Sequence, residues 1–305
     1  MAFARLPLWV KKPFIENSTT REVSRLLETF ELNTVCKSAR CPNRWDCFSS
    51  HSVTFMILGT MCTRRCRFCG VSKGKPEDVD SGEPLRLYRA AQAMELRFVT
   101  ITSVTRDDLP DGGASHFASC IREVRGLEPR PGIEVLVPDF GGETSLCSLV
   151  LEASPDVFSH NVETVPRLYQ TVRPGADYSA SLRILKTAAC HSSRVVVKSG
   201  LMVGLGEQEE EVISVLRDLR DVGCQAVTIG QYLRPALECL PVTEYVHPER
   251  FQFYEETGKR LGFRELYAGP LVRSSYRAFE MWRRVNGDHY TKQEFHREPR
   301  CQGIH

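Results

Sequence analysis

Apolar positions along this chain change period from one segment to the next. "STTREVSRLLETFELNTV" (18–35) begins with capping-type residues, then sets Val23, Leu26, Leu27 and Phe30 at helical spacing, which predicts an N-terminal helix. From residue 53 onward short β-branched runs recur: "VTFMILG" (53–59), "RFVTITSV" (97–104), "GIEVLVPDF" (132–140), "DVFSHNV" (156–162), "RVVVKSGLMVG" (194–204) and "QAVTIGQYL" (225–233). Helical patterns separate them: "EPLRLYRAAQAMEL", "ASHFASCIREVRGL", "TSLCSLVLEA", "DYSASLRILKTAAC" and "QEEEVISVLRDLRDVG"; "HPERFQFYEETGKRLGF" follows the last run. Strands alternating with helices predict βα units around a parallel sheet. Residues 53 to 265 have room for about six units, fewer than the eight that close a barrel of about 250 residues. The expected fold is α/β: an open, partial (β/α)6 TIM-like barrel. Residues 1–52 read as an N-terminal helical, cysteine-rich extension and 266–305 as a C-terminal extension. The polar stretch after about residue 276 is expected to be a helix that frays into disorder.

Composition narrows the class. The chain has 305 residues, 42% of them hydrophobic, enough for a sizeable core. Its 40 Lys plus Arg nearly balance 38 Asp plus Glu, so no strong pull toward nucleic acid is expected. No apolar run approaches the roughly 18 residues of a membrane span. "MAFARLPLWVKKPF" is too weakly apolar for a secretory signal, and the expected compartment is the cytoplasm. Six of the twelve cysteines fall between Cys36 and Cys69, a clustering that points to metal in a reducing compartment. The scattered Cys120, Cys147, Cys190, Cys224, Cys239 and Cys301 read as small buried hydrophobes.

"GTMCTRRCRFCG" sets Cys62, Cys66 and Cys69 in a loop directly after the first barrel strand, at the strand end where such folds place their active groups. Tetrahedral zinc takes four ligands and so does a cube of four irons, yet no fourth thiolate follows nearby. Three thiolates leave one iron of a 4Fe–4S cluster open, and an open metal position is what a substrate or cofactor needs. This C-x-x-x-C-x-x-C segment closely resembles the signature of the radical S-adenosylmethionine superfamily. There the open iron takes the amino and carboxylate groups of S-adenosylmethionine, and one-electron cleavage yields a 5′-deoxyadenosyl radical. Phe68, between Cys66 and Cys69, fits either a shield against water or ordinary loop packing.

"CKSARCPNRWDC" holds a second triad, Cys36, Cys41 and Cys47. A zinc knuckle completed by a histidine such as His51 is the bland reading. The two triads, with "TSVTRDDLPDGGASHF", "SHNVETVPRLYQTVRPGADYSASLRIL", "KSGLMVGLGE", "GQYLRP" and "GPLVRSSYRAFE" in order, resemble the lipoyl synthase family over most of residues 36 to 280. The resemblance implies that Cys36, Cys41 and Cys47 hold an auxiliary 4Fe–4S cluster whose fourth ligand is a serine of "RSSY", Ser275 by position and Ser274 second; the alternative is a helix cap. It also implies sulfur insertion at carbons six and eight of an octanoyl-lysine. The octanoyl group is carried by a lipoyl domain of a dehydrogenase-complex acyltransferase or by a glycine-cleavage H protein. A ferredoxin or flavodoxin as electron donor and an iron–sulfur carrier protein are implied as partners. By the same resemblance Asn161, Glu163, Arg173 and Lys198 would bind S-adenosylmethionine, the alternative being a structural salt-bridge ring. Arg106, Asp107 and Asp111 either orient the cofactor or form a turn, and "GLGE" (204–207) reads as a strand-to-helix turn. Other radical sulfur-inserting enzymes, such as biotin synthase or a methylthiotransferase, and a non-catalytic metal sensor are the competing readings.

Overall fold

The computed structural model describes residues 6–12 and 16–285. The polar tail expected to fray, with Cys301, lies beyond residue 285 and outside the described residues. In chain order the regular elements are α1 (Ser18–Thr29), β1 (Asn33–Thr34), α2 (Val35–Ser38), α3 (Arg44–Ser49), β2 (Thr54–Ile57), α4 (Glu83–Ala93), β3 (Phe98–Ser103), α5 (Ala114–Arg125), β4 (Gly132–Leu136), α6 (Thr144–Glu152), β5 (Val157–Ser159), α7 (Tyr169–Val172), α8 (Tyr178–His191), β6 (Val196–Val203), α9 (Glu209–Asp221), β7 (Ala226–Gln231), α10 (Pro248–Leu261), β8 (Glu265–Gly269) and α11 (Ala278–Val285). All of the expected strands and helices are present, trimmed at their ends.

The strands form one sheet in sequence order, β1 to β8, parallel throughout except for the antiparallel β1–β2 pair. β2 to β7 with their crossover helices are the six expected units, and the sheet is open, with β1 and β8 as its edges. Two strands were not expected. β1 is two residues long, too short for any period to show, and it exists because Asn33 and Thr34 pair with Met56 and Phe55. β8, "ELYAG", lies astride the expected 265/266 boundary and pairs with β7 from Ala226–Glu265 to Gly230–Gly269. Both extensions are therefore hydrogen-bonded to the barrel edges.

The sheet interior changes character along the barrel axis. At one end the helix expected after residue 276 is present as α11: Met281, Trp282 and Val285 are buried against Val157, Val196 and Ala226, with Phe98 and Tyr267 beside them. Phe98 and Trp282 rings lie 5.6 Å apart. At the other end, toward the strand C-termini, Met56, Thr102, Leu136, Gly200, Met202, Thr228 and Gly230 line a cavity of about 500 Å³. Among the described residues no helix is long and apolar enough to cross a membrane.

Candidate active site

The loop that carries Cys62, Cys66 and Cys69 leaves β2 through a held turn. Leu58 has φ 67°, the left-handed region that side chains rarely adopt, and Gly59 follows at φ 90°. Leu58 N–H donates to Glu83 Oε2 at 2.9 Å, and the same oxygen meets His116 Nε2 at 2.7 Å. Arg106 donates to Leu58 O at 3.2 Å and pairs with Asp108 at 2.8 Å. Beyond the turn, Cys62 N–H donates to Ser72 O at 2.9 Å and Gly74 N–H to Cys62 O at 3.1 Å. Arg64 is held by Asp107 at 2.8 Å and by Asp139 at 2.5 Å, from the ends of β3 and β4. Arg67 N–H donates to Val172 O at 2.9 Å, and Leu240 N–H donates to Arg67 O at 2.8 Å. The loop is thus held around its cysteines by backbone and side-chain bonds to neighbouring segments.

All three cysteines of this loop line the cavity, and so do Cys36, Cys41 and Cys47 from α2, α3 and the turn between them. Burial pushes the Cys69 thiol up to about 12 and raises Cys66 as well; Cys36 rises to about 11 and Cys47 to about 12, each mainly through burial, with neighbouring thiols of its triad adding to it. Such thiols ionise when a metal supplies positive charge. Each triad offers three thiols to the same cavity, the ligand type that iron–sulfur clusters take. His51 is exposed and lies outside the cavity lining, so it does not complete the upstream triad.

Ser274 and Ser275 both line the cavity, but their hydroxyls differ. Ser274 Oγ donates to Asn161 Oδ1 at 2.7 Å, whereas Ser275 has no side-chain hydrogen bond among the described residues. Asn161 in turn donates from Nδ2 to Glu163 Oε1 at 3.1 Å. The closeness of Asn161 and Ser274 depends on Gly200: a Cβ there would sit 2.9 Å from Asn161 Oδ1 and 3.2 Å from Ser274 Oγ. Glu163 also has a left-handed backbone, φ 67°, held by its N–H to Gly200 O at 3.0 Å and by Met202 N–H to its carbonyl at 2.8 Å. Burial raises the Glu163 carboxyl, and Arg173 nearby opposes that. Arg173 donates to Asn161 O at 3.0 Å and to Tyr169 Oη at 3.2 Å, while its buried Nε finds no acceptor. An unsatisfied cationic donor beside a buried carboxylate suits a ligand that carries both charges, as an amino acid does. Phe68 packs with Val172, Leu205 and Tyr232 at the cavity wall.

The structure separates the remaining polar residues from this group. Lys198 is absent from the cavity lining; its ammonium pairs with Glu134 Oε1 at 2.9 Å, both side chains at most 2% exposed. The two side chains share the interior face of the sheet, one rung apart, at the boundary between the α11 plug and the cavity. Lys198 thus stands in the salt bridge named as the alternative for it, where a buried charge meets its counter-charge. Arg106 and Asp107 are spent on the loop clamps above. Asp111 accepts from Gly113 N–H at 3.0 Å and Ser115 N–H at 2.9 Å, so it forms a turn. In "GLGE", Glu207 accepts from Leu205 N–H at 2.9 Å and closes its own turn.

Residues that sequence reasoning missed also line the cavity. Arg273 lies beside Cys41 and donates to Val272 O at 2.6 Å. His160 bonds Val137 O at 2.9 Å and Ser181 Oγ at 3.0 Å, and burial lowers it to about 4, so it is a neutral wall residue. The signal for Arg273 was present in "RSSY"; for His160 there was none, since both partners come from other elements.

Comparison with known proteins agrees with this geometry. Residues 56–219 match the radical SAM superfamily. The chain is 54% identical over 274 residues to the lipoyl synthase of Caldanaerobacter subterraneus subsp. tengcongensis, covering 90% of this chain and 96% of that one. It is 51% identical over 280 residues to that of Caldicellulosiruptor saccharolyticus, covering 92% and 98%. Two similar solved structures share the fold. HydG, a maturase of FeFe-hydrogenase, has a TM-score of 0.56 at 13% identity, covering 88% of this chain and 67% of that one. Methylornithine synthase has a TM-score of 0.53 at 14% identity, covering 80% and 70%. With two cysteine triads on one cavity and half of its residues shared with these relatives over nearly the whole chain, the protein belongs to the lipoyl synthase family of radical SAM enzymes.

Proposed function

We propose that this enzyme inserts two sulfur atoms into an octanoyl group carried on a protein lysine, at carbons six and eight, giving lipoyl-lysine. The observation that carries the reading is the opening of both cysteine triads and Ser275 onto one cavity. Cys62, Cys66 and Cys69 would hold the radical cluster, leaving one iron for S-adenosylmethionine. Cys36, Cys41, Cys47 and Ser275 would hold the auxiliary cluster. When bound, the first cluster and S-adenosylmethionine supply a hydrogen-abstracting radical, and the second cluster supplies sulfur.

The chain's own residues bind, orient and shield. Glu163 and Arg173 present opposite charges at one rim, matching the ammonium and carboxylate of S-adenosylmethionine, with Asn161 held between them and Ser274. Phe68 and its apolar neighbours keep water from that rim. Met56, Leu136, Leu201 and Met202 offer an apolar path for an eight-carbon chain between the two triads. Proximity then decides which atom the substrate radical meets. Ser275 is a harder and weaker donor to iron than a thiolate, which suits a corner that must open. The lipoyl domain of a dehydrogenase-complex acyltransferase or a glycine-cleavage H protein would carry the substrate. A ferredoxin or flavodoxin would supply electrons, and an iron–sulfur carrier protein would rebuild the auxiliary cluster. The reducing cytoplasm suits the free thiols.

The test is mass spectrometry of an octanoyl-lysine peptide incubated with anaerobically reconstituted protein, dithionite and S-adenosylmethionine. A product carrying two added sulfurs is expected. Cleavage of S-adenosylmethionine with no sulfur in the peptide would sink the reading.

A further inference from the structure

The loop after β7, residues 232–240, roofs one side of the cavity mouth and ties three segments together. Arg40 donates to Pro235 O at 2.9 Å. Cys239 Sγ donates to Cys69 O at 3.5 Å, and Leu240 N–H reaches Arg67 O. Pro235 lies so close over Gly70 that a Cβ there would approach its ring to 2.9 Å. The loop is a fixed platform, yet it presents Leu237 to solvent at 71% exposure. A partner that covered this aliphatic side chain would gain free energy by removing its apolar surface from water.

The charges around Leu237 are of one dominant sign. Arg40, Arg67 and Arg234 are exposed, and none meets a carboxylate among the described residues. Arg234 turns its guanidinium onto the carbonyls of its own loop, Cys239 O at 2.8 Å and Ala236 O at 3.1 Å. Elsewhere at the strand ends cations are neutralised: Arg64, Arg106 and Arg167 each hold an acid at 2.5–2.8 Å. Glu238 is the one acid in the loop.

We propose that the 232–240 loop, with Leu237 exposed on it and Arg40 and Arg234 bonded to its carbonyls, is the docking surface for a carrier domain whose surface around the acylated lysine is acidic. The inference rests on the functional reading above. A substrate chain tethered through a lysine reaches the space between the triads only if its domain sits on the mouth, and Arg40 and Arg234 line that mouth. An apolar anchor beside charged groups is the anatomy of a specific but transient interface. The charges raise the encounter rate and reject other partners, and Leu237 supplies the desolvated centre.

The experiment compares an octanoylated carrier domain with a short, neutral octanoyl-lysine peptide, both with dithionite as reductant. Leu237→Glu and Leu237→Ala are chosen because Leu237 does not line the cavity. Each variant is expected to raise KM for the domain about tenfold or more while leaving peptide conversion unchanged. In the unaltered protein KM for the domain should rise with ionic strength. Equal losses on domain and peptide overturn the proposal, because the loop then shapes the cavity. Unchanged KM for the domain in both variants overturns it too. Should the unaltered protein convert neither substrate, the functional reading itself fails, which the other outcomes leave standing.

Discussion

Ser274 donates a 2.7 Å hydrogen bond to Asn161 Oδ1, so the C-terminal segment is tied to the end of β5 across the cavity that both cysteine triads share. The bond occupies one serine of the pair and leaves its neighbour free to meet metal. Under the proposed function Ser274 would belong to the S-adenosylmethionine rim and Ser275 to the auxiliary site.

The two serines should separate in iron content. Ser274→Ala removes one hydrogen bond, a loss of about 1 kcal/mol, and should keep the full complement of about eight irons per reconstituted chain. Ser275→Ala should fall toward half of that while still cleaving S-adenosylmethionine. Ser275→Cys should retain iron but form less lipoyl product, because a thiolate corner opens less readily. Iron assay after anaerobic reconstitution and desalting decides it; equal iron loss in both alanine variants would reverse the assignment.

The triads should divide the labour. Cys62→Ala should lose half the iron and all cleavage of S-adenosylmethionine. Cys41→Ala should lose the other half, still release 5′-deoxyadenosine, and insert no sulfur. Chromatography of the nucleoside products alongside mass spectrometry of the peptide reads both activities. Stoichiometric zinc in place of iron would reject the two-cluster reading.

Lys198 should matter to stability and not to cofactor affinity. Lys198→Met strands a fully buried Glu134, whose Oε2 already lacks a partner, and should cost about 3–5 kcal/mol in denaturant unfolding. Adding Glu134→Leu should recover most of that. Affinity for S-adenosylmethionine should stay within about twofold in the double variant. A stable Lys198→Met protein with weakened S-adenosylmethionine binding would restore the reading made from sequence.

His160 should contribute an acid-sensitive share of stability. Burial and the nearby Arg173 lower it from 6.5 to about 4 in the folded chain. Between those values the unfolded chain binds a proton that the folded chain does not, so stability rises with pH across this window and is lost on acidification. The share amounts to roughly 3 kcal/mol, complete above pH 6.5 and gone below about 4. Unfolding free energies of the unaltered protein and His160→Gln, measured across that window, should show the steeper acid loss in the former. Parallel curves would refute it.

The βα alternation was legible because strand and helix announce themselves in their own residues: a period of two or a continuous β-branched run, then a period near 3.6. The cysteine triads were legible for the same reason, since each lies within 12 residues of chain and its spacing survives any fold. The absence of a fourth thiolate near Cys69 could likewise be read by inspection, and with it the expectation of an open iron.

What the tertiary structure decided was pairing. Lys198 could be read as a buried cation, but its counter-ion lies 64 residues away on β4, and no local period carries that information. Ser274 and Ser275 are adjacent and chemically identical; only the arrival of Asn161, 113 residues distant, distinguishes them. β8 and β1 escaped notice because their existence follows from a neighbour's unpaired edge, and their own residues form no sustained pattern. Arg106 and Asp107 stood at a strand end, as functional residues do, yet their partners across the loop clamp bind them to structural work. Local sequence specifies which groups a segment carries and which of its faces is apolar. Which charge meets which, and which hydroxyl is left unoccupied, is settled when distant segments close around the same cavity.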